Sequence, residues 1–249
     1  MRTDHYFDSC GAGKIHYCRW MPEGSPRAVL QIVHGIAERV ERYDHFAEFL
    51  NSQGFLVVAE DHMGHGSSLE EGGVRGYFHG GWFTAIEDTM QLMRDTMAEH
   101  PGVPYVLFGH SMGSFMARTI LAKYPDSGIT AAIICGTGWQ PAFAIPALLK
   151  VMDKICAKTG ETKPNEKLHQ MIFGGYNKKV EHPRTEYDWL TRDEAIVDEY
   201  VAHPLCGFTS SCGLLRDMRS TAEILPCKRW QFQRICLPYC RGAGCGQRR

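Results

Sequence analysis

YVLFGHSMGSFMARTILAKY, residues 105–124, decides how the rest of this sequence is read. It opens with a short apolar run at 105–108, passes through Gly109-His110-Ser111-Met112-Gly113, and continues from Phe115 to Tyr124 in a helical pattern. The pentapeptide matches G-x-S-x-G, which carries weight only between a strand and a helix, and both are predicted here. In so tight a turn, side chains at Gly109 and Gly113 would collide with neighbouring backbone. The serine between them is held strained, with its hydroxyl exposed. The following helix aims its free N–H groups at the same point, where they favour developing negative charge. Ser111 is therefore the candidate nucleophile.

Upstream, residues 14–20, 28–33 (AVLQIV) and 55–60 (FLVVAE) read as strands. The last two are apolar, β-branched runs of the kind buried on both sheet faces. Between them lies RYDHFAEFLNSQG, with Tyr43, Phe46, Phe49 and Leu50 on one helical face and Gly54 as a stop. Strand–helix–strand implies a parallel pair. The pattern repeats: a helix over 82–100 with Phe83, Ile86, Met90, Met93 and Met97 as its stripe, then the strand–turn–helix above, then a strand at 129–135. Alternation of this kind predicts an α/β fold with a mainly parallel sheet.

Acyl transfer on a serine needs donors for the oxyanion of its tetrahedral intermediate. One is the backbone N–H after the serine, at Met112; the other comes from the loop after an earlier strand, where His34-Gly35 places Ile36. The loop Asp61-His62-Met63-Gly64-His65-Gly66-Ser67 suggests a metal at first sight. No coherent ligand set accompanies it, so it reads as a glycine-rich loop whose polar side chains tie it to its neighbours, and no metal is expected.

HGIAERVERYDHFAEFLNSQGFLVVAEDHMGHGSS followed by GHSMG resembles the monoacylglycerol lipase and lysophospholipase branch of the α/β-hydrolases, often labelled serine aminopeptidase-like. The likeness covers residues 28–137, and more loosely the segment beyond, including PLCGF at 204–208. It implies an α/β-hydrolase fold, a mainly parallel sheet flanked by helices, and a helical cap over the active site. It also implies no metal, no organic cofactor, and hydrolysis of lipid-like or other small carboxylic esters through an acyl-enzyme. By this resemblance Ser111 is the nucleophile and Ile36 and Met112 are the oxyanion donors.

After Thr137 the alternation stops. The expected division is a core at 1–137, a helical cap at 138–205, a return to the core at 206–225 and an atypical tail at 226–249. In the cap, the helical stretch 141–158 carries Phe143, Leu148, Leu149 and Met152, which can line an acyl channel or simply pack on the core. The resemblance also implies a catalytic acid and a histidine after the cap. After Glu223 the chain has no Asp or Glu, and after His203 no His. PCKRWQFQRICLPYCRGAGCGQRR is instead basic and cysteine-rich. A shifted frame near 218–225, a truncation with the late strands missing, or a basic tail would each produce it. His169 and His182 in the cap, His203 beside PLCGF, and His34 and His110 in the turns are not nominated as base. The chain as written is expected to turn over activated esters slowly and to aggregate readily. A peptidase on the same scaffold, or a non-catalytic protein that keeps the fold for binding, are the alternatives.

Across 249 residues there are 27 Lys+Arg against 28 Asp+Glu, so charge gives no argument for nucleic acid. The apolar share of 44% suits one large domain or one with an inserted subdomain. No run is long and apolar enough to span a bilayer, and residues 1–13 do not read as a signal peptide; the expectation is a soluble, cytoplasmic protein. Of ten cysteines, Cys10, Cys18, Cys135, Cys156, Cys206 and Cys212 are expected as buried reduced thiols. Cys227, Cys236, Cys240 and Cys245 do not have the paired spacing of a zinc knuckle. Oligomeric state is not legible.

Overall fold

The computed structural model describes residues 1–138, 143 and 145–218. The chain runs β1 (Arg2–Asp8), β2 (Lys14–Trp20), β3 (Ala28–Val33), α1 (Asp44–Ser52), β4 (Phe55–Glu60), α2 (Trp82–Glu99), β5 (Tyr105–His110), α3 (Met112–Lys123) and β6 (Ala131–Cys135). It continues as α4 (Ile145–Thr159), α5 (Glu166–Phe173), α6 (Glu194–Ala202) and α7 (Cys212–Asp217), with short 3-10 turns at 40–43, 66–68 and 176–179.

Six strands form one sheet in the order β1-β2-β4-β3-β5-β6. The pairs β3–β4, β3–β5 and β5–β6 are parallel, and β1–β2 and β2–β4 are antiparallel. β3 and β4 are apolar apart from Gln31 and Glu60, because both faces are covered. Val29, Val33, Leu56 and Val58 face one way, packing with Ile86, Met93 and Met116 of α2 and α3. Leu30, Ile32, Val57 and Ala59 face the other, against Ala47 and Leu50 of α1. Each such side chain, fully buried, contributes about 1.5–3 kcal/mol of transfer free energy.

The strands at 14–20, 28–33 and 55–60 have the bounds that the sequence predicts. β1 was not expected: RTDHYFD is largely exposed and pairs only with β2. Both helix faces are met in most positions, with Ile86, Met90, Met93 and Met97 of α2, Tyr43 just before α1 and Leu50 of α1 packed on the core, and they depart at three phenylalanines. Phe83, Phe46 and Phe49 are exposed, while Trp82, Ala85 and Thr89 of α2 and Ala47 of α1 face the sheet. Small residues let the helices approach closely, and the large aromatics are left on the rim.

The core holds one polar network. Tyr105 Oη donates to Gln31 Oε1 (2.8 Å), Gln31 Nε2 donates to Glu60 Oε2 (3.1 Å), and Thr89 Oγ1 donates to Glu60 Oε1 (2.6 Å). Burial pushes the Glu60 carboxyl up to about 7, against the lowering effect of the Thr89 and Gln31 hydrogen bonds.

From 145 to 202 the described residues are helical or irregular, with no strand among them. α4 packs Met152 and Cys156 onto Leu168 of α5 and Cys212 and Leu215 of α7. Leu214 of α7 joins the main core. The tail at 226–249 and the late strands lie outside the described residues. Among those described, no helix is long and apolar enough to cross a membrane.

Candidate active site

The carboxyl ends of parallel β3, β4 and β5 lie side by side, the usual place for a site in an α/β sheet. β5 ends at His110 and α3 begins at Met112, which leaves Ser111 alone to reverse the chain. Its φ of 53° is a left-handed conformation that a non-glycine residue adopts only when its surroundings impose it. The flanking contacts impose it here. Ser111 N donates to Cys135 O at 3.0 Å, and Ser114 N donates back to Ser111 O at 2.9 Å. The glycines are required by close approach: a Cβ at Gly113 would stand 1.9 Å from Val33 O, and one at Gly109 would stand 2.5 Å from Gly113 O. α3 is thus pressed against the end of β3.

β3 continues into His34-Gly35-Ile36. His34 is fully buried and neutral: burial, then the neighbouring His65, hold its pKa well below the usual histidine value. In the tautomer its contacts require, Nδ1–H donates to Gly35 O (2.7 Å) and Nε2 accepts from His62 N (3.1 Å). The ring therefore joins the β3 turn to the loop after β4. That loop is tied by Asp61, which accepts from Val40 N (2.9 Å), Ser67 N (2.9 Å) and His16 Nδ1 (2.8 Å).

Glu38, buried, gathers the other side. It accepts from Gly35 N, from Tyr43 Oη (3.0 Å), from His110 Nδ1 (3.1 Å) and from Arg42. Burial alone would raise its pKa, but the His110 hydrogen bond and the charge of Arg42 outweigh that and leave it below its ordinary value. This network was not foreseen. The acid of Ala37-Glu38-Arg39 and the base of Glu41-Arg42 were visible as residues, but their meeting with His110 spans the sheet.

Ser111 and Ile36 line one cavity of about 560 Å3. A Cβ on Gly35 would lie 3.1 Å from Ser111 Cβ, so the two turns are in contact. Met112, the residue after the serine, is fully buried. The remaining lining includes His110 from the core and His169, Phe173, Tyr176, Trp189 and Leu190 from beyond residue 145. Leu148, Leu149 and Met152 are not among its lining; of the two readings of that stripe, Leu148 and Met152 follow the packing one, against α5 and α7, while Phe143 is exposed. α6 is anchored on the turn after β3: Tyr200 Oη donates to Ala37 O (2.9 Å), and Gly207 N donates to the same oxygen (3.0 Å).

Of the histidines considered, His169 and His110 reach the cavity. His203 Nδ1 accepts from Leu205 N in a turn, and His182 lines a separate shallow pocket. Of the six described cysteines, four are buried as expected, but Cys10 and Cys135 are exposed. Cys227, Cys236, Cys240 and Cys245 lie outside the described residues.

The family model described as "Serine aminopeptidase, S33" matches residues 24–238. A monoacylglycerol lipase of Mycolicibacterium smegmatis is 30% identical over 204 residues, 82% of this chain and 65% of that protein. A monoglyceride lipase of Mus musculus is 36% identical over 194 residues, 78% of this chain and 57% of that protein. The matches thus span less than two thirds of these relatives' own length. A solved structure of a highly thermostable carboxyl esterase from Bacillus coagulans superposes with a TM-score of 0.80 at 29% identity, over 90% of this chain and 73% of that one. A soluble variant of the Saccharomyces cerevisiae monoglyceride lipase shares the fold, with a TM-score of 0.67 at 15% identity. With the strained serine turn, the sheet order and these likenesses together, the chain belongs to the serine aminopeptidase (S33) family and has the α/β-hydrolase fold.

Proposed function

We propose that this chain cleaves carboxylic esters of small lipid-like alcohols, with Ser111 as the nucleophile that forms an acyl-enzyme. The observation that carries the reading is the left-handed Ser111 at the mouth of α3, lining the same cavity as Ile36. Ser111 Oγ attacks the ester carbonyl, and the backbone N–H groups of Met112 and Ile36 receive the oxyanion. Collapse expels the alcohol, which leaves with the proton that Ser111 gave up, and the acyl group stays on Ser111; water then adds to the acyl carbonyl, the carboxylic acid departs and a proton returns to Ser111 Oγ. In the segment from 145 to 205, read as a cap, Phe173, Trp189 and Leu190 offer an apolar wall to the substrate, and α7 brings Leu214 back to the core. The relatives named as monoacylglycerol lipases support a glycerol monoester as substrate class.

The test is covalent labelling with a fluorophosphonate, which requires the nucleophile and the oxyanion donors. Labelling of the wild-type chain that is abolished in Ser111→Ala supports the reading. A folded wild-type chain that stays unlabelled, or a Ser111→Ala protein that still labels, refutes it.

A further inference from the structure

β2 carries His16 and Cys18 on one face, two residues apart, and the antiparallel register sets Asp4 of β1 directly opposite Cys18. Three chemically different ligand atoms therefore converge: Asp4 Oδ1, His16 Nε2 and Cys18 Sγ lie within 4.8 Å of one another. The separations are 3.0 Å between Nε2 and Oδ1, 3.4 Å between Sγ and Oδ1, and 3.9 Å between Sγ and Nε2. Ligands at the usual zinc bond lengths stand about 3.3–3.8 Å apart in a tetrahedron, so shifts of a few tenths of an ångström suffice.

We propose that Asp4, His16 and Cys18 form a zinc site that pins the edge strand β1 to the sheet. In the metal-free chain one oxygen of Asp4 accepts from both the imidazole Nε2–H and the thiol S–H. One dication replaces both protons. Imidazole with thiolate and a carboxylate is a borderline-soft set that suits zinc. His16 also has the outer partner that zinc-bound histidines need: its Nδ1 meets Asp61 Oδ2 at 2.8 Å, and backbone amides of Val40 and Ser67 hold that carboxylate. This fixes the tautomer with its lone pair on Nε2. The dication would meet Asp4, Asp61 and a Cys18 thiolate, with Arg2 shared between Asp4 at 3.6 Å and Asp44 at 2.9 Å, so the surroundings are net anionic and favour a cation. His16 and Cys18 are buried while Asp4 is half exposed, so solvent can reach the ion from the Asp4 side and supply a fourth ligand. On binding, the Cys18 thiol proton and the His16 Nε2 proton both leave to solvent, and Nδ1–H stays on Asp61; no bond is oxidised or reduced.

The site is independent of Ser111 chemistry and is tested without it. The full-length chain is titrated with Zn2+ by calorimetry and with Co2+ by absorption, where a cobalt–thiolate bond gives a near-ultraviolet charge-transfer band. Wild type, Cys18→Ser, Asp4→Asn and a chain with Cys227, Cys236, Cys240 and Cys245 all changed to serine are compared. The expected result is one equivalent of zinc and a thiolate band in wild type and in the tail variant. Cys18→Ser should lose the band, and Asp4→Asn should weaken zinc binding by about 100-fold or more, beyond the 10–100-fold typical of outer partners. Asp4→Asn alters a half-exposed side chain and is the arm that does not depend on core packing. No zinc binding in folded wild-type protein overturns the proposal. So does a band that survives Cys18→Ser, or one that disappears in the tail variant.

Discussion

Gly113→Ala tests the packing that makes the serine turn. A methyl at this position would stand 1.9 Å from Val33 O, 2.5 Å from Val33 C and 2.6 Å from His34 O, whereas ordinary contact begins at 3.4 Å. All three obstacles are backbone, so no side chain can swing away. α3 must withdraw from β3 by roughly 1–1.5 Å, beyond the adjustments behind the usual ~1–3 kcal/mol of overpacking. The expected loss is therefore about 3–5 kcal/mol, a large share of the ~5–15 kcal/mol that holds a domain together. The same withdrawal carries Met112 N–H away from Ile36, and a misplacement of about 1 Å slows chemistry by about 100-fold. Gly102→Ala is the control. Its φ is +78° but a Cβ there meets nothing within 4 Å, so only left-handed strain of about 1–2 kcal/mol applies. Urea unfolding and the rate of fluorophosphonate labelling are measured on both. If Gly113→Ala is as stable as Gly102→Ala and labels at the wild-type rate, the close-approach argument is wrong.

Two further outcomes follow from buried carboxyls. Glu60 titrates near 7 when folded and at 4.5 when free, so the folded state holds the proton more tightly; its contribution falls as pH rises from 4.5 to about 7 and is flat above. Wild-type stability relative to Glu60→Gln should decline across that window by up to about 3 kcal/mol in urea unfolding; a constant difference would exclude the titration. Glu38 has the opposite sign: its folded value lies below the ordinary 4.5, so its contribution is present at neutral pH and is lost as pH falls through the folded value. Glu38→Gln should be less stable than wild type at pH 7 by about 1–3 kcal/mol, with the gap closing in acid, and equal stability at pH 7 would remove Glu38 from its organising role.

What was legible in the sequence was whatever depends on neighbours along the chain. AVLQIV and FLVVAE could be read as strands because burial on both faces makes them short, nearly continuous apolar runs, each with a single polar residue, Gln31 or Glu60. The serine turn was legible because two glycines and a strand and helix on either side are a local pattern. β1 was not, since an edge strand with exposed RTDHYFD has no apolar face to announce it. With β1 unseen, Asp4 had no place beside His16 and Cys18. The stripe of α2 is met at Ile86, Met90, Met93 and Met97, but Phe83 is exposed, and Trp82, Ala85 and Thr89 extend the buried face instead. Contacts such as Glu38 with His110, and Tyr200 with Ala37, join residues whose adjacency exists only once the sheet has formed.

The strand order also governs how the chain can assemble as it leaves the ribosome. β3 sits between β4 and β5, yet β4 follows it closely in the chain while β5 comes much later, so that Val29 pairs with Leu56 and with Tyr105. During synthesis β3 and β4 can zip together while the other edge of β3 waits. That edge belongs to a strand buried on every residue, the kind most prone to capture a foreign chain. Closing the longer loop costs only about 1 kcal/mol more than the shorter one. The hazard is therefore one of timing rather than of equilibrium. Slow translation across 61–104 would prolong the exposure of that edge, and a chaperone that covers it would raise the yield of folded protein without altering its final stability.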